Sequence, residues 1–327
     1  MLSKNNSKIL LIVLLVLVAL FLIKKYTDHS DSTIINEIVT VDTAQIDKIV
    51  IYPPKGAAQI VLEKKENNWK VKSKNEEHVA DKRKIKSILA DMLRLNPISV
   101  VGTEKSQWKK FEVDDSLSTR VKLMKNDKVK ADVLLGKFNF IQAQNAQPNP
   151  YQRRPQGEMI SYVRPYNDVN TYSVEGMIRM NFSADADNYR DKTFVKADQS
   201  AINKIDFNYG NSGNFTLTKE KKYWKIDHEP VDSATVVRYL RYLSRTSGSK
   251  IVHNFDQNRY KQIGTINIGS TNGKPVTLTA FADSSNYVVH SSQNPDTYFD
   301  GNAAKLFDKF FVGKDYFFKK KEKKNKK

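Results

Sequence analysis

The chain has 327 residues, with 54 Lys+Arg against 36 Asp+Glu for a formal net charge of +18, and no cysteine. That length fits two units of about 120–150 residues, each large enough to bury an ordinary core. The missing cysteine excludes disulfides, thiolate metal sites, a cysteine nucleophile and a lipid-modified N-terminal cysteine, while the positive balance suits anionic partners or a solubilising surface.

Residues 1–8 are a short N-terminal segment, and residues 9–23 are an unbroken apolar run flanked by Lys4, Lys8, Lys24 and Lys25. As a helix the run spans about 22 Å against a hydrocarbon core of about 30 Å, a gap that snorkelling lysines and local thinning can close. A cleavable signal peptide has the same profile, but Lys24-Lys25-Tyr26 offers no small-x-small site after the run. The reading is an uncleaved transmembrane signal anchor over 9–25, with the short N-terminus inside. Residues 26–44 are polar and read as a tether.

A first α+β repeat is predicted over 45–174. Ile49 and Ile51, Ile60 and Leu62, then Trp69 and Val71 alternate with polar residues, the period of half-buried strands. Asp81 is placed as the N-cap of a helix whose Ile85, Ile88, Leu89 and Met92 form one apolar stripe. Val100 and Val101 return as a strand. Two more strands, 119–125 and 129–135, flank the turn residues Asn126 and Asp127. The stretch 138–157 is rich in Gln, Asn and Pro and reads as an insertion. Strands at Tyr162 and Tyr172 close the repeat, and 175–200 is a connector.

A second α+β repeat spans 201–318 and returns the same design. Ile205 and Phe207, Phe215 and Leu217, and Trp224 and Ile226 match the first set at an offset of about 155. Asp232 stands as the second N-cap, followed by Val236, Tyr239, Leu240 and Leu243 with the same spacing. Trp69 and Trp224 are read as equivalent core residues. The expected fold class is therefore α+β: tandem duplicated units of antiparallel sheet with one covering amphipathic helix each, after an N-terminal transmembrane helix. Residues 319–327, with seven Lys and one Glu, form a basic tail.

Chemistry is harder to find. The segment 269–275 carries Gly269, Gly273 and Lys274 like a phosphate loop, but the glycines are one residue too close and Pro275 replaces the metal-binding hydroxyl. Asp185, Asp187 and Asp191 begin like a calcium loop, but Arg190 and Lys196 stand where Gly and Glu are required. His29, His78, His228, His253 and His290 form no i, i+4 pair. No Gly-x-Ser-x-Gly elbow is present. Trp108-Lys109-Lys110-Phe111 and residues 219–225 join cations to aromatics, yet a nucleic-acid role conflicts with export. No catalytic, cofactor-binding or metal residue is assigned, no cofactor is implied, and the protein reads as non-enzymatic.

Taken together, the Trp strands, the Asp-capped helices, Tyr162-Val163-Arg164, Tyr172-Ser173-Val174 and Arg190-Asp191-Lys192 before a second copy resemble the bacterial family known as domain of unknown function 4340. The resemblance covers roughly residues 44–311. It implies an inner-membrane, single-pass envelope protein with a periplasmic domain, in an accessory role beside ABC-transporter components or other envelope proteins. The alternative is a binder of anionic envelope polymers or lipid surfaces acting through the basic surplus and tail.

Overall fold

The computed structural model of the protein describes residues 14, 18, 35–142, 157–210, 213–284 and 286–318. In the first half, β1 (Lys48–Tyr52), β2 (Ile60–Lys65), β3 (Asn68–Ser73) and β4 (Glu76–Val79) lead into helix α1 (Lys82–Leu93). After it come β5 (Pro97–Gly102), β6 (Thr119–Lys125), β7 (Lys128–Gln142), β8 (Gly157–Pro165) and β9 (Thr171–Glu175). They form one nine-stranded sheet in the order β4-β3-β2-β1-β6-β7-β8-β9-β5.

The second half begins with β10 (Thr193–Val195), then β11 (Ile202–Asn208), β12 (Phe215–Glu220), β13 (Tyr223–Ile226) and β14 (Glu229–Pro230) before helix α2 (Ser233–Ser244). Next are β15 (Thr246–Ser247), which pairs with β10, and β16 (Ile251–Val252). β17 (Lys261–Ser270), β18 (Val276–Asp283), β19 (Asn286–Ser291) and β20 (Tyr298–Asp300) complete the chain of strands. The second nine-stranded sheet runs β14-β13-β12-β11-β17-β18-β19-β20-β16, the first order strand for strand. Two similar all-antiparallel sheets, each with its helix, are the duplication read from the sequence.

Period-two alternation places the cores. Ile49, Ile51, Ile60 and Leu62 are fully buried in the first sheet, as are Ile205, Phe207, Leu217 and Ile226 in the second. On α1 the buried apolar positions are Ile85, Ile88 and Met92, while Leu89 of the expected stripe is half-buried; on α2 they are Val236, Tyr239, Leu240 and Leu243. Both caps form. Asp81 Oδ1 accepts from the Arg83 N–H at 2.8 Å, and Asp232 Oδ2 from the Thr235 N–H at 3.3 Å, each contributing about 1 kcal/mol.

The correspondence runs further than the Trp strands and helices. Before each sheet, Val39 and Ile46 are buried as are Val195 and Ile202, and Asp42 and Asp198 each cap a turn two residues on. After each sheet a strap follows, anchored by Ile178, Phe182 and Tyr189 in one copy and Leu306, Phe310 and Phe317 in the other, all buried. The offset is 128 residues at all three anchors.

Density of packing divides the chain into two compact units, Met1–Val61 with Lys86–Ala184, and Leu62–Ile85 with Asp185–Lys327. Three expectations change. Trp69 and Trp224 occupy equivalent places, but each is half-buried; β3 and β13 are followed only by the short edge strands β4 and β14, which leave the rings partly open. The stretch 138–157 is not an insertion throughout, because β7 extends to Gln142 and β8 starts at Gly157; residues 143–156 lie outside the described residues.

The third correction removes the transmembrane helix from the fold class. Among the described residues no helix is long and apolar enough to cross a membrane. The segment 9–25, apart from Leu14 and Val18, lies outside those residues.

Candidate binding surface on the first unit

Where β7 passes Leu135, no strand among the described residues pairs with its β6-side edge. β6 begins at Thr119, opposite Leu135. The chain before it is bent away by Asp114, whose Oδ1 accepts from the Ser116 N–H at 2.9 Å and whose carbonyl accepts from the Ser118 N–H at 3.1 Å. β7 and β8 then continue as a two-stranded arm, with Phe138 opposite Ser161, Phe140 opposite Met159 and Gln142 opposite Gly157.

Two glycines shape this arm. At Gly136, where the register shifts, a Cβ would lie 2.2 Å from the Phe111 carbonyl oxygen and 2.7 Å from Val113. At Gly157 a Cβ would lie 2.4 Å from the Phe140 ring and 2.4 Å from the Ile141 carbonyl oxygen. Phe140 is thus seated over a backbone that only glycine permits.

The arm is apolar and open. Phe138 is 42 % exposed, Phe140 41 % and Ile141 50 %. At its root lies a cleft of about 460 Å³ lined by Pro54, Thr119, Phe138, Met180 and Phe182, beside the Glu112–Arg179 ion pair at 2.7 Å. Met180 is 64 % exposed. Large apolar side chains exposed together, rather than singly, mark contact surfaces. A second cleft of about 610 Å³ lies near Ile98 and Met177, and its Asp91 is bonded to the Asn181 amide at 2.9 Å.

The residues examined for chemistry are occupied by structure. Trp108 donates its Nε1–H to the Val169 carbonyl at 2.9 Å and carries the Arg164 guanidinium 3.6 Å over its ring. Phe111 is buried, which leaves only Lys109 and Lys110 of that patch exposed. Within 219–225 the Trp224 ring packs partly into the second core. The segment 269–275 is the end of β17 and the turn into β18. Asp185 caps a turn, Asp191 accepts from the Thr193 N–H and hydroxyl, and Asp187 accepts from Arg190 at 3.2 Å.

His253 Nε2 lies 2.8 Å from Asp187, and among the described residues no hydroxyl bonds to that imidazole. His290 faces the Pro295 carbonyl at 3.0 Å, His78 lies 3.4 Å from Glu76, His228 is in a turn, and His29 is outside the described residues. No group of three or more His, Cys, Asp or Glu positioned for a metal occurs among the described residues. The basic tail 319–327 is also outside them.

The arm escaped sequence reasoning for a simple reason. Phe138, Asn139, Phe140 and Ile141 carry a strand signal, but the Gln, Asn and Pro that follow dominated the composition of 138–157. No family model matches the chain, no curated protein matches it, and no solved structure matches it. The resemblance to domain of unknown function 4340 is corrected accordingly, since its motifs are strand and cap signals that any duplicated α+β sheet can share. The signal anchor, the inner-membrane and periplasmic location, the single-pass membrane partner and the transporter or envelope accessory role are withdrawn with it, and the anionic-polymer alternative is left with net charge alone.

Proposed function

We propose that this protein is a non-catalytic binding module whose contact surface is the β7–β8 arm and the cleft at its root, and whose ligand is a protein. One observation carries this reading: Phe138 and Phe140, two residues apart on one face of the arm, and Met180, which shares the cleft with Phe138, all stand exposed. Aromatic side chains in that state are the usual anchors of protein interfaces. The acids and bases examined for catalysis favour the same reading, because they cap turns, pair strands or brace the backbone.

The test is photo-crosslinking in the native host, with benzoylphenylalanine in place of Phe138 or Phe140 and, as control, Tyr223, which is 66 % exposed on the other unit. A discrete protein adduct is expected from the arm positions and not from Tyr223. Adducts from Tyr223 with none from either arm position would overturn the proposal.

A further inference from the structure

We infer that the edge of β7 over residues 137–142, which no strand among the described residues pairs, is a strand-addition site for an extended, alternately apolar and acidic segment of a partner protein; the inference rests on the reading of the arm as the contact surface. The backbone directions follow from the hydrogen bonds. Met159 accepts from the Gly176 N–H at 2.7 Å, so it turns toward the β9 side. By alternation Glu158 and Ile160 turn toward β7, onto their partners Ile141 and Asn139. Phe138 and Phe140 therefore direct their N–H and C=O groups outward, along the line that β6 would take if it continued.

The Phe140 N–H confirms this direction. It donates to the Oδ1 of its own neighbour Asn139 at 3.0 Å. A side-chain amide here stands in for an absent strand, and a partner's carbonyl can replace it bond for bond. Exposed edges of this kind are templates for pairing, and main-chain bonds with pockets for alternate side chains describe strand addition. The six residues span about 20 Å, the length of an ordinary strand.

The cleft supplies the pocket. It opens beside Phe138 at the point where β6 stops, and Pro54, Met180 and Phe182 give it apolar walls. Charge selects the occupant. Lys137 and Arg179 line the cleft, exposed Lys55 follows Pro54, and exposed Lys109 and Lys110 precede Glu112. Those five cations outnumber, by one, Glu112, Asp114 and Asp115 nearby in the chain together with Glu158 on β8. A segment carrying carboxylates between its apolar residues complements that surplus. A second copy of a chain at +18 does not.

Random eight-residue peptides displayed against the purified full chain test this. Selected peptides should alternate apolar and acidic residues, and their addition should slow amide exchange at Phe138 and Phe140. Phe140→Pro removes the outward N–H, which an unpaired edge tolerates, whereas Phe140→Ala removes the ring and keeps the N–H. The proline variant should bind about tenfold more weakly than the alanine variant, the size of one net hydrogen bond, with circular dichroism showing both folded. Equal binding to the two variants, peptides patterned at three and four residues, no selection at all, or crosslinks joining two copies of this chain would each overturn strand addition. Arm crosslinks to another protein, obtained alongside equal binding, would leave the proposed contact surface standing and remove only its mode.

Discussion

The backbone N–H of Asp232 donates to the carbonyl of Phe317 at 2.9 Å, while the Asp232 carboxylate caps α2. One residue therefore starts the helix and receives the end of the chain's last strap. Asp81 does the same, donating to the Tyr189 carbonyl at 2.8 Å. The strap holds because Phe317 is fully buried against Phe207, Phe215 and Tyr239. Phe317→Ala should cost about 3–5 kcal/mol in urea denaturation, the range for a buried aromatic. Phe318→Ala, one residue on and half-buried, should cost clearly less. Equal costs would mean that the strap is not anchored by Phe317.

Half-burial of the two tryptophans gives a graded expectation. Trp224 contacts the second core from its margin, whereas Phe207 lies within it at 0 % exposure. Trp224→Ala and Trp69→Ala should each cost about 1–2 kcal/mol, against about 3–5 for Phe207→Ala. Paired denaturation curves measure the difference, and a Trp224→Ala cost equal to that of Phe207→Ala contradicts it.

Acid should weaken the caps and loops. Burial pushes the Asp81 carboxyl upward, but hydrogen bonds from the Arg83 side chain and backbone outweigh it and hold the pKa below its ordinary value of 3.8. Asp300 behaves alike: burial raises it, while Lys250 and the N–H groups of Ala303 and Asn302 bring it below the same value. A carboxyl depressed in the folded state stabilises above its unfolded pKa, and that contribution is lost as pH falls through the folded pKa. Stability from these two groups should therefore be level well above pH 3.8, begin to fall as pH nears that value and go on falling below it. Asp81→Asn and Asp300→Asn should lower stability at neutral pH and flatten the acid decline. Unfolding titrations from pH 6 to about pH 2 at fixed salt read both effects.

How much of this was legible depends on how local each signal is. The Asp81 and Asp232 caps, the stripes behind them and the alternating Ile and Leu positions are set by contacts a few residues apart, so spacing alone located them. The straps were not found, although Ile178, Phe182 and Tyr189 repeat as Leu306, Phe310 and Phe317. Their offset of 128 differs from about 155 at the Trp strands because the arm and other connections differ in length between the copies. A fixed-offset comparison loses them. Burial of Trp69 was over-read because alternation gives the face of a residue but not its distance from the sheet edge. The arm needed the knowledge that β6 stops at Thr119, a fact of pairing between distant segments.

Arg164 gives the last expectation. It is 2 % exposed, yet among the described residues no carboxylate pairs with it directly. Its Nε donates to the Val113 carbonyl at 3.1 Å, and Nη1 reaches the carbonyls of Tyr166 at 3.0 Å and Asp168 at 2.9 Å. The Trp108 ring closes one side, and burial lowers the guanidinium pKa from its ordinary value. The planar fork thus ties the segment after β5 to the turn between β8 and β9, a span that the single ammonium of lysine cannot bridge. Arg164→Lys should cost about 3 kcal/mol, from lost charge-assisted bonds to carbonyls that stay buried. Trp108→Ala removes the ring beneath the same guanidinium. In a double-mutant cycle the two changes should therefore couple by about 1–2 kcal/mol, the size of a desolvated cation–π contact. Additive losses in that cycle would show that Trp108 and Arg164 brace the backbone independently.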